Sequence, residues 1–400
     1  MRYSVFTPTH DTRHLGLVYD SLLAQTDQDW EWLIVPNGAV CLPSLPDPRV
    51  RILPRQPAGN VGALKAYACS RARGEWLVEL DHDDELLPTA LERIGASTAD
   101  FAYSNAVLVN DEWDPVLWRP DCGWEWRPVE VHGHQVVETV APEPLPSNLS
   151  RIWFAPDHLR AWRREFYERL GGHDTSMELG DDHELVCRSA LEGTVEHIDE
   201  PLYVYHVHGG NTWLANAERI ERIMWKTHGR YFLPLAERWA RESALGMMDL
   251  GGALDAPDGY VTVDRQNADI VCDLNEDWPL GTGTVGILRA HDVLEHLRDP
   301  IHAMNEAWRV LAHGGVFDIL VPSTDGQGAW CDPTHVSFWN KRSFTYYTQA
   351  GMRRYLEPEC HCQFQVVQLE DVMMWEGVPY VQAQLLALHD GPRFHGVVEW

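Results

Sequence analysis

The sequence predicts an α/β protein of two doubly wound domains, residues 1–240 and 245–400, with a helical link over 214–243. Three observations predict it. The chain has 400 residues, beyond what one hydrophobic core usually organises. Short apolar runs alternate with helix-like stretches, as in a mostly parallel sheet faced by helices. The alternation lapses near residue 243 and restarts at Leu245–Leu250, followed at once by Gly251 and Gly252.

In the first half, strands are expected at Tyr3–Thr7, Trp32–Val35, Val50–Leu53, Trp76–Leu80 and Phe101–Tyr103. Helices are expected at Leu17–Gln25, Val61–Ala72 and Pro88–Ile94, the last with proline in its first turn. Residues 111–150 are rich in tryptophan and proline and lack a period, which predicts a functional loop. Helices return at Asp157–Leu170 and Asp182–Leu191, then a strand at Pro201–Val207. In the second half, strands are expected at Tyr260–Asp264, Val285–Ala290 and Val316–Val321, with a helix at Pro300–Leu311.

Composition excludes several classes of partner. The formal net charge is −28, which disfavours a nucleic-acid backbone and an anionic membrane. It leaves nucleotides open, because a bound metal can supply the positive charge. The eight cysteines form no CxxC pair, so reduced thiols are expected. No apolar run is long enough to span a membrane, and the N-terminus enters a strand without a signal peptide. A cytoplasmic location is the expectation.

Chemistry concentrates at strand ends, where sheets of this type bind ligands. Thr7, Asn37 and Asp81 lie there. The run Trp76–Leu80 ends in Asp81-His82-Asp83-Asp84, and carboxylates so close repel unless a cation or donor lies between them. Two readings are open for this cluster and for Asp181-Asp182: metal and acid–base chemistry, or helix capping. The expected division gives Asp84 to capping the helix after Pro88.

Six segments then carry a resemblance to the family 2 glycosyltransferases, inverting enzymes of the GT-A fold. They are Ser4-Val5-Phe6-Thr7-Pro8-Thr9 with its following helix, Asn60-Val61-Gly62, Asp81-His82-Asp83, Gly171-Gly172-His173-Asp174, Gly180-Asp181-Asp182 and Tyr203-Val204-Tyr205-His206-Val207-His208. The resemblance implies a nucleoside diphosphate sugar donor, contacted by Thr7, Pro8, Asn37, Asn60, Gly62, Lys65, Asp81, His82 and Asp83. It implies Mn²⁺ or Mg²⁺ on Asp83, with Asp81 on the metal or the ribose and His208 completing the shell or contacting phosphate. It makes Asp182 the general base for an acceptor hydroxyl, with Asp181 raising its pKa or orienting the acceptor. Where the family's second strand ends in two aspartates and a glycine, this chain has Pro36-Asn37-Gly38, so its base preference departs from the pattern. Trp113, Trp118, Trp124 and Trp126 have two readings, an acceptor-stacking loop or plain packing.

Residues 245–400 resemble class I S-adenosylmethionine-dependent methyltransferases in an abbreviated Rossmann-like form. The resemblance rests on His291-Asp292-Val293-Leu294-Glu295-His296, on Arg309 through Gly315, and on Asp332-Pro333-Thr334-His335. It implies that Gly251, Gly252, Asp264, Asp273, Leu274, His291 and Glu295 hold the cofactor, while His335 has three open readings: a methyl-transfer base, a metal ligand, or a local hydrogen bond beside Pro333. Only Leu254–Gly259 separates the glycine turn from the next strand, too short for a crossover helix. The expectation is a metal-dependent inverting glycosyltransferase whose second domain O-methylates a glycan or other hydroxyl acceptor. The alternatives are an inert second domain, or a carbohydrate-binding protein without catalysis.

Overall fold

Apolar runs bounded by turn residues build the first unit's core: β1 (Tyr3–Thr9), β2 (Trp30–Pro36), β3 (Val50–Ile52) and β4 (Trp76–Glu79). All four are parallel, in the order β3-β2-β1-β4. Every residue of β1, β2 and β4 is buried, as expected when helices cover both sheet faces. Helices α1 (Leu15–Leu23) and α2 (Val61–Cys69) make the crossovers. The computed structural model describes residues 1–56, 59–117, 123–151, 158–252, 256–374 and 377–390.

Past β4 the sheet becomes mixed. Here lie β5 (Glu85–Leu86), α3 (Ala90–Ala96) and β6 (Phe101–Val109), the last three times as long as the expected Phe101–Tyr103. The expected loop over 111–150 instead contains a hairpin, β7 (Trp126–Val131) with β8 (His134–Thr139), and a helical turn, α4 (Pro146–Leu149). Its turn is His132-Gly133, both at positive φ (52° and 83°), which fits a two-residue hairpin connection. Pro128 within β7 and His in place of Asn at the turn hid this hairpin from the sequence.

The expected helix Asp157–Leu170 is a strand followed by a helix: β9 (Arg160–Arg163), then α5 (Arg164–Leu170). Asp157 itself lies outside the described residues. Strand β9 runs antiparallel between β4 and β6. Pairing on both sides overrides the helical pattern of its arginines. Then come α6 (Asp181–Glu192), β10 (Val195–His206) and α7 (Thr212–Glu242).

The second unit carries β11 (Gly246–Leu250), β12 (Val261–Asp264), β13 (Ile270–Val271), β14 (Val285–His291), α8 (Pro300–Val310) and β15 (Leu311–Pro322). It closes with α9 (Gly328–Cys331), α10 (Lys341–Thr348), α11 (Ala350–Arg353), β16 (Phe364–Met373) and β17 (Pro379–Ala387). The seven-stranded order is β13-β12-β11-β14-β15-β17-β16, with β17 antiparallel to both neighbours. The order reverses between β11 and β14, the position where such sheets bind ligands. Among the described residues no helix stands between β11 and β12.

The compact units are Met1–Glu143 with Phe154–Tyr231, and Pro144–Trp153 with Phe232–Trp400. This differs from a single boundary near 240. Short helix α4 belongs to the second unit, where the Gln365 side-chain amide donates to the Ser150 carbonyl (3.1 Å) and hydroxyl (2.8 Å). Among the described residues no helix is long and apolar enough to cross a membrane.

Candidate active site

Strand β4 delivers Asp81, His82 and Asp83 to the carboxyl edge of the first sheet. Asp83 meets His208, just past β10, with Oδ2 and Nε2 2.9 Å apart. The His208 ring stacks on His14 at 5.6 Å between centroids. The Asp81 amide donates to the Tyr203 hydroxyl (3.1 Å), and its Oδ2 lies 3.7 Å from His158 Nε2. Glu79, Asp81 and His158 each bring one donor atom within 4.8 Å of the others. His82 packs edge-on against His10.

Asp84 does not cap the following helix. Strand β5 intervenes, and the buried Asp84 carboxylate accepts from the Tyr203 hydroxyl (2.8 Å) and the His206 amide (2.9 Å). Desolvation, then the charges of Asp83 and Asp81, push its pKa well above the carboxylate range. Asp84 ties β10 to the loop that carries Asp83. His206 turns away from Asp83 to Glu85, 2.8 Å from Oε1.

Behind this edge lies a buried ionic cluster that the sequence reading missed. Glu79 is fully buried between Lys65, whose Nζ it contacts, and Arg160, whose Nε is 2.9 Å from Oε2. Desolvation opposes its charge, yet Arg160 and Lys65 together lower its pKa to about 2. Lys65 is likewise desolvated, and the surrounding carboxylates raise its pKa. Arg160 Nη2 donates to His158 Nε2 (2.8 Å), and burial and the Arg160 charge lower that imidazole to about 4. The available signal was a charged residue, Glu79, inside an otherwise apolar strand. Such a charge requires buried cations.

Asp182 touches this cluster, and Asp181 lies within its field. Asp182 Oδ2 is 3.0 Å from Arg160 Nη1, and its Oδ1 accepts from the His183 amide. Desolvation opposes its charge, but Arg160 and Lys65 hold its pKa well below the usual range. Asp181 is buried, and desolvation lifts it to about 7 despite Lys65, with Asp182 and Glu79 adding to the rise. The like-charge repulsion expected to raise Asp182 therefore raises Asp181 instead. A Cβ on Gly62 would come within 2.8 Å of the Asp181 Cγ, so only glycine fits against this carboxyl.

The remaining nucleotide-site candidates are partly spent on structure. The Thr7 hydroxyl donates to Leu80 O (2.7 Å) and accepts from Trp32 Nε1 (2.8 Å). Asn60 caps α2 through Ala63 N and donates to Thr175 O, both at 2.7 Å. Pro8 lies within β1, and the Asn37 side chain accepts from Gly59 N at 3.2 Å. Trp113 stacks on His134 of the hairpin at 4.6 Å and packs on a small apolar cluster. Trp124 and Trp126 are half-buried, and Trp118 lies outside the described residues.

In the second unit, Gly251 and Gly252 follow β11, and a Cβ on either would collide with Val293 (2.5 Å) or Asp249 (2.4 Å). Gly251 also has φ +73°, where glycine is unstrained. Asp264 ends β12, and Asp273 accepts from the Asn275 amide (3.0 Å) and side chain (2.8 Å). Leu274 is buried in the core, so its side chain serves packing. His291 Nε2 pairs with Asp318 Oδ2 at 2.9 Å. Glu295 is buried, and desolvation raises it to about 8. His335 lies 4.0 Å from Glu295 and 3.9 Å from Asp332.

Comparison with known proteins accounts for both units. Residues 4–129 match the family described as "Glycosyl transferase family 2", and residues 246–319 match "Methyltransferase domain". The O-antigen biosynthesis protein RfbC of Myxococcus xanthus is 25% identical over 228 residues, 54% of this chain and 16% of that protein. The succinoglycan biosynthesis protein ExoO of Rhizobium meliloti is 25% identical over 222 residues, 51% of this chain and 59% of its own length. The match thus spans less than two thirds of either relative. Among solved structures, S. aureus TarS residues 1–349 with UDP-GlcNAc aligns at TM-score 0.42 and 15% identity, covering 60% of this chain and 72% of that one. Residues 4–129 are thus similar to family 2 glycosyltransferase domains and residues 246–319 to methyltransferase domains, and both units are α/β.

Proposed function

We propose that the first unit transfers a sugar, with inversion, from a nucleoside diphosphate donor to a hydroxyl acceptor. The observation that carries this reading is the approach of Asp83 to His208 at 2.9 Å, which joins two distant sequence motifs at one sheet edge. A carboxylate oxygen and an imidazole nitrogen at that spacing suit a shared Mn²⁺ or Mg²⁺ in place of the proton between them, with Asp81 beside them. When bound, such a cation offsets the charge that develops on a departing diphosphate. Asn37, just past β2, would meet the nucleotide base, because its amide can both donate and accept.

Asp182 accepts the proton of the attacking hydroxyl. Its side chain is 29% exposed, against 5% for Asp181, so the acceptor can reach only Asp182. Arg160 keeps Asp182 ionised and aimed at neutral pH, able to accept the proton but at some cost in basicity. Asp181 stays buried against Gly62 and fixes the start of α6. The test is transfer from a panel of nucleoside diphosphate sugars with and without Mn²⁺. Asp182→Asn should lower turnover steeply while leaving donor affinity near normal. Undiminished transfer by that variant would remove Asp182 from the mechanism.

The second unit is proposed to bind S-adenosylmethionine at the β11–β14 reversal and to methylate a hydroxyl, on a glycan in the simplest scheme. The crowded glycine turn and the acidic end of β12 suit a nucleoside with a ribose diol. The lack of a β11–β12 helix among the described residues favours the rival, an inert platform. Calorimetric titration with S-adenosylmethionine separates the two, because a platform gives no heat.

A further inference from the structure

The second unit holds a buried carboxylate without a hydrogen-bond partner among the described residues. Glu295 is 2% exposed, and among the described residues neither of its carboxylate oxygens has a hydrogen-bond partner. Burying an unsatisfied acceptor is costly, and more so when it is charged. Two imidazoles face it. One donor atom each from Glu295, His296 and His335 falls within 4.8 Å of the other two. The closest measured approach, His335 Nε2 to Glu295 Oε1, is 4.0 Å. That is too long for a hydrogen bond, yet close enough for two ligands of one ion.

Both imidazoles are oriented from behind. His335 Nδ1 lies 3.1 Å from the Ala329 carbonyl, which can only accept, so Nδ1 carries the proton and Nε2 a lone pair. The Thr334 hydroxyl donates to Asp332 Oδ1 (2.6 Å) and therefore accepts from His296 Nδ1 (3.2 Å). The Thr334 carbonyl is a second acceptor for the same N–H, at 3.3 Å. His296 is thus also left with Nε2 free to coordinate. Imidazoles that ligate metals characteristically donate their other N–H in this way.

The backbone holds the pieces together. The Val336 and Ser337 amides both donate to the Glu295 carbonyl (2.8 and 3.0 Å), and the Ser337 hydroxyl donates to Leu294 O (2.7 Å). The segment bearing His335 is therefore laced to the turn bearing Glu295. We propose that Glu295, His296 and His335 form a binding site for a divalent cation of the zinc class. Two imidazoles and one carboxylate favour Zn²⁺ or Co²⁺ over Mg²⁺ and Ca²⁺, which prefer all-oxygen shells. Three protein ligands leave a fourth position for water or a hydroxyl oxygen. Asp332, with Oδ2 3.9 Å from His335 Nε2, adds negative charge beside it. The site follows β14 and β15, at the edge where the second sheet's ligand is expected.

Co²⁺ is the probe, added to chelator-treated full-length protein. A four-coordinate site with two imidazoles gives intense visible bands, whereas a six-coordinate, carboxylate-rich site gives weak ones. The wild type and Asp83→Asn should both show the intense bands at one equivalent. Glu295→Gln and His296→Ala should lose them while keeping the metal-free circular dichroism of the wild type. His296 is the least buried of the three ligands, so its variant decides the matter if Glu295→Gln misfolds. The assignment fails if the wild type shows no intense bands, if Asp83→Asn abolishes them, or if folded His296→Ala retains them.

Discussion

Arg160 and Asp182 face each other at 3.0 Å, and the same guanidinium reaches Glu79 at 2.9 Å. The candidate base is therefore wired to a buried charge in the central strand. Desolvation opposes ionisation of Asp182, but Arg160 dominates and depresses its pKa. Arg160→Lys keeps one positive charge but gives up the fork that spans both carboxylates. The Asp182 pKa should then rise toward the ordinary range. The acidic limb of kcat/KM should move to higher pH by about one unit, on the scale of about 1.4 kcal/mol per unit. An unmoved limb would show that Arg160 does not set the protonation of Asp182.

Asp83→Asn removes one of the two groups proposed to share the metal. Several kcal/mol of charge stabilisation depend on such a cation. Transfer should fall by about 100-fold or more, and the Mn²⁺ concentration for half-maximal activity should rise. Wild-type Mn²⁺ dependence in this variant would relocate the metal.

Gly62→Ala places a methyl 2.8 Å from the Asp181 Cγ. Overpacking of this kind costs about 1–3 kcal/mol. Thermal unfolding should shift down, and turnover should fall because Asp181 fixes the start of α6. An unchanged Tm would mean that α2 and α6 move apart freely.

Asp181 titrates near 7 in the folded chain, above its unfolded value, mainly through desolvation. A carboxyl raised in this way is neutral and well accommodated at low pH. Its contribution to stability is fully present below pH 4 and is lost as pH climbs through 7. Asp181→Asn should therefore raise Tm relative to the wild type at pH 8 more than at pH 5. Equal differences at the two pH values would contradict a raised Asp181.

Gly252→Ala drives a methyl into the Asp249 carboxylate, and Asp264→Asn removes the charge at the end of β12. Each should weaken S-adenosylmethionine about 10-fold or more, on the scale of a charged hydrogen bond. Isothermal titration reads this directly, and equal affinity in both variants would place the cofactor elsewhere.

The central parallel strands β1, β2, β4 and β14 were legible because they are largely buried on both faces and read as apolar runs between glycine and proline breaks. Asp83, His208 and the Asp181-Asp182 pair were legible as motifs at strand and helix ends. Arg160 was not, because its meaning depends on Glu79, about eighty residues earlier. Strand β9 looked helical because Arg160 and Arg163 suggest a solvated face, yet Arg160 is buried. Antiparallel additions such as the β7–β8 hairpin were hidden by Pro128 and by a His-Gly turn. The roles of Asp181 and Asp182 could not be separated from sequence, since their difference lies in which one touches a guanidinium.

The link from Ser150 to Gln365 bears on synthesis. A ribosome makes α4 more than two hundred residues before the glutamine that holds Ser150. During that interval the strands that complete the first sheet, β9 and β10, are made and can pair. The nascent chain then carries α4 as an unsatisfied segment until β16 emerges. A gene cut after Glu242 would leave α4 permanently without its partner, so the N-terminal fragment should be more prone to aggregate than the whole chain.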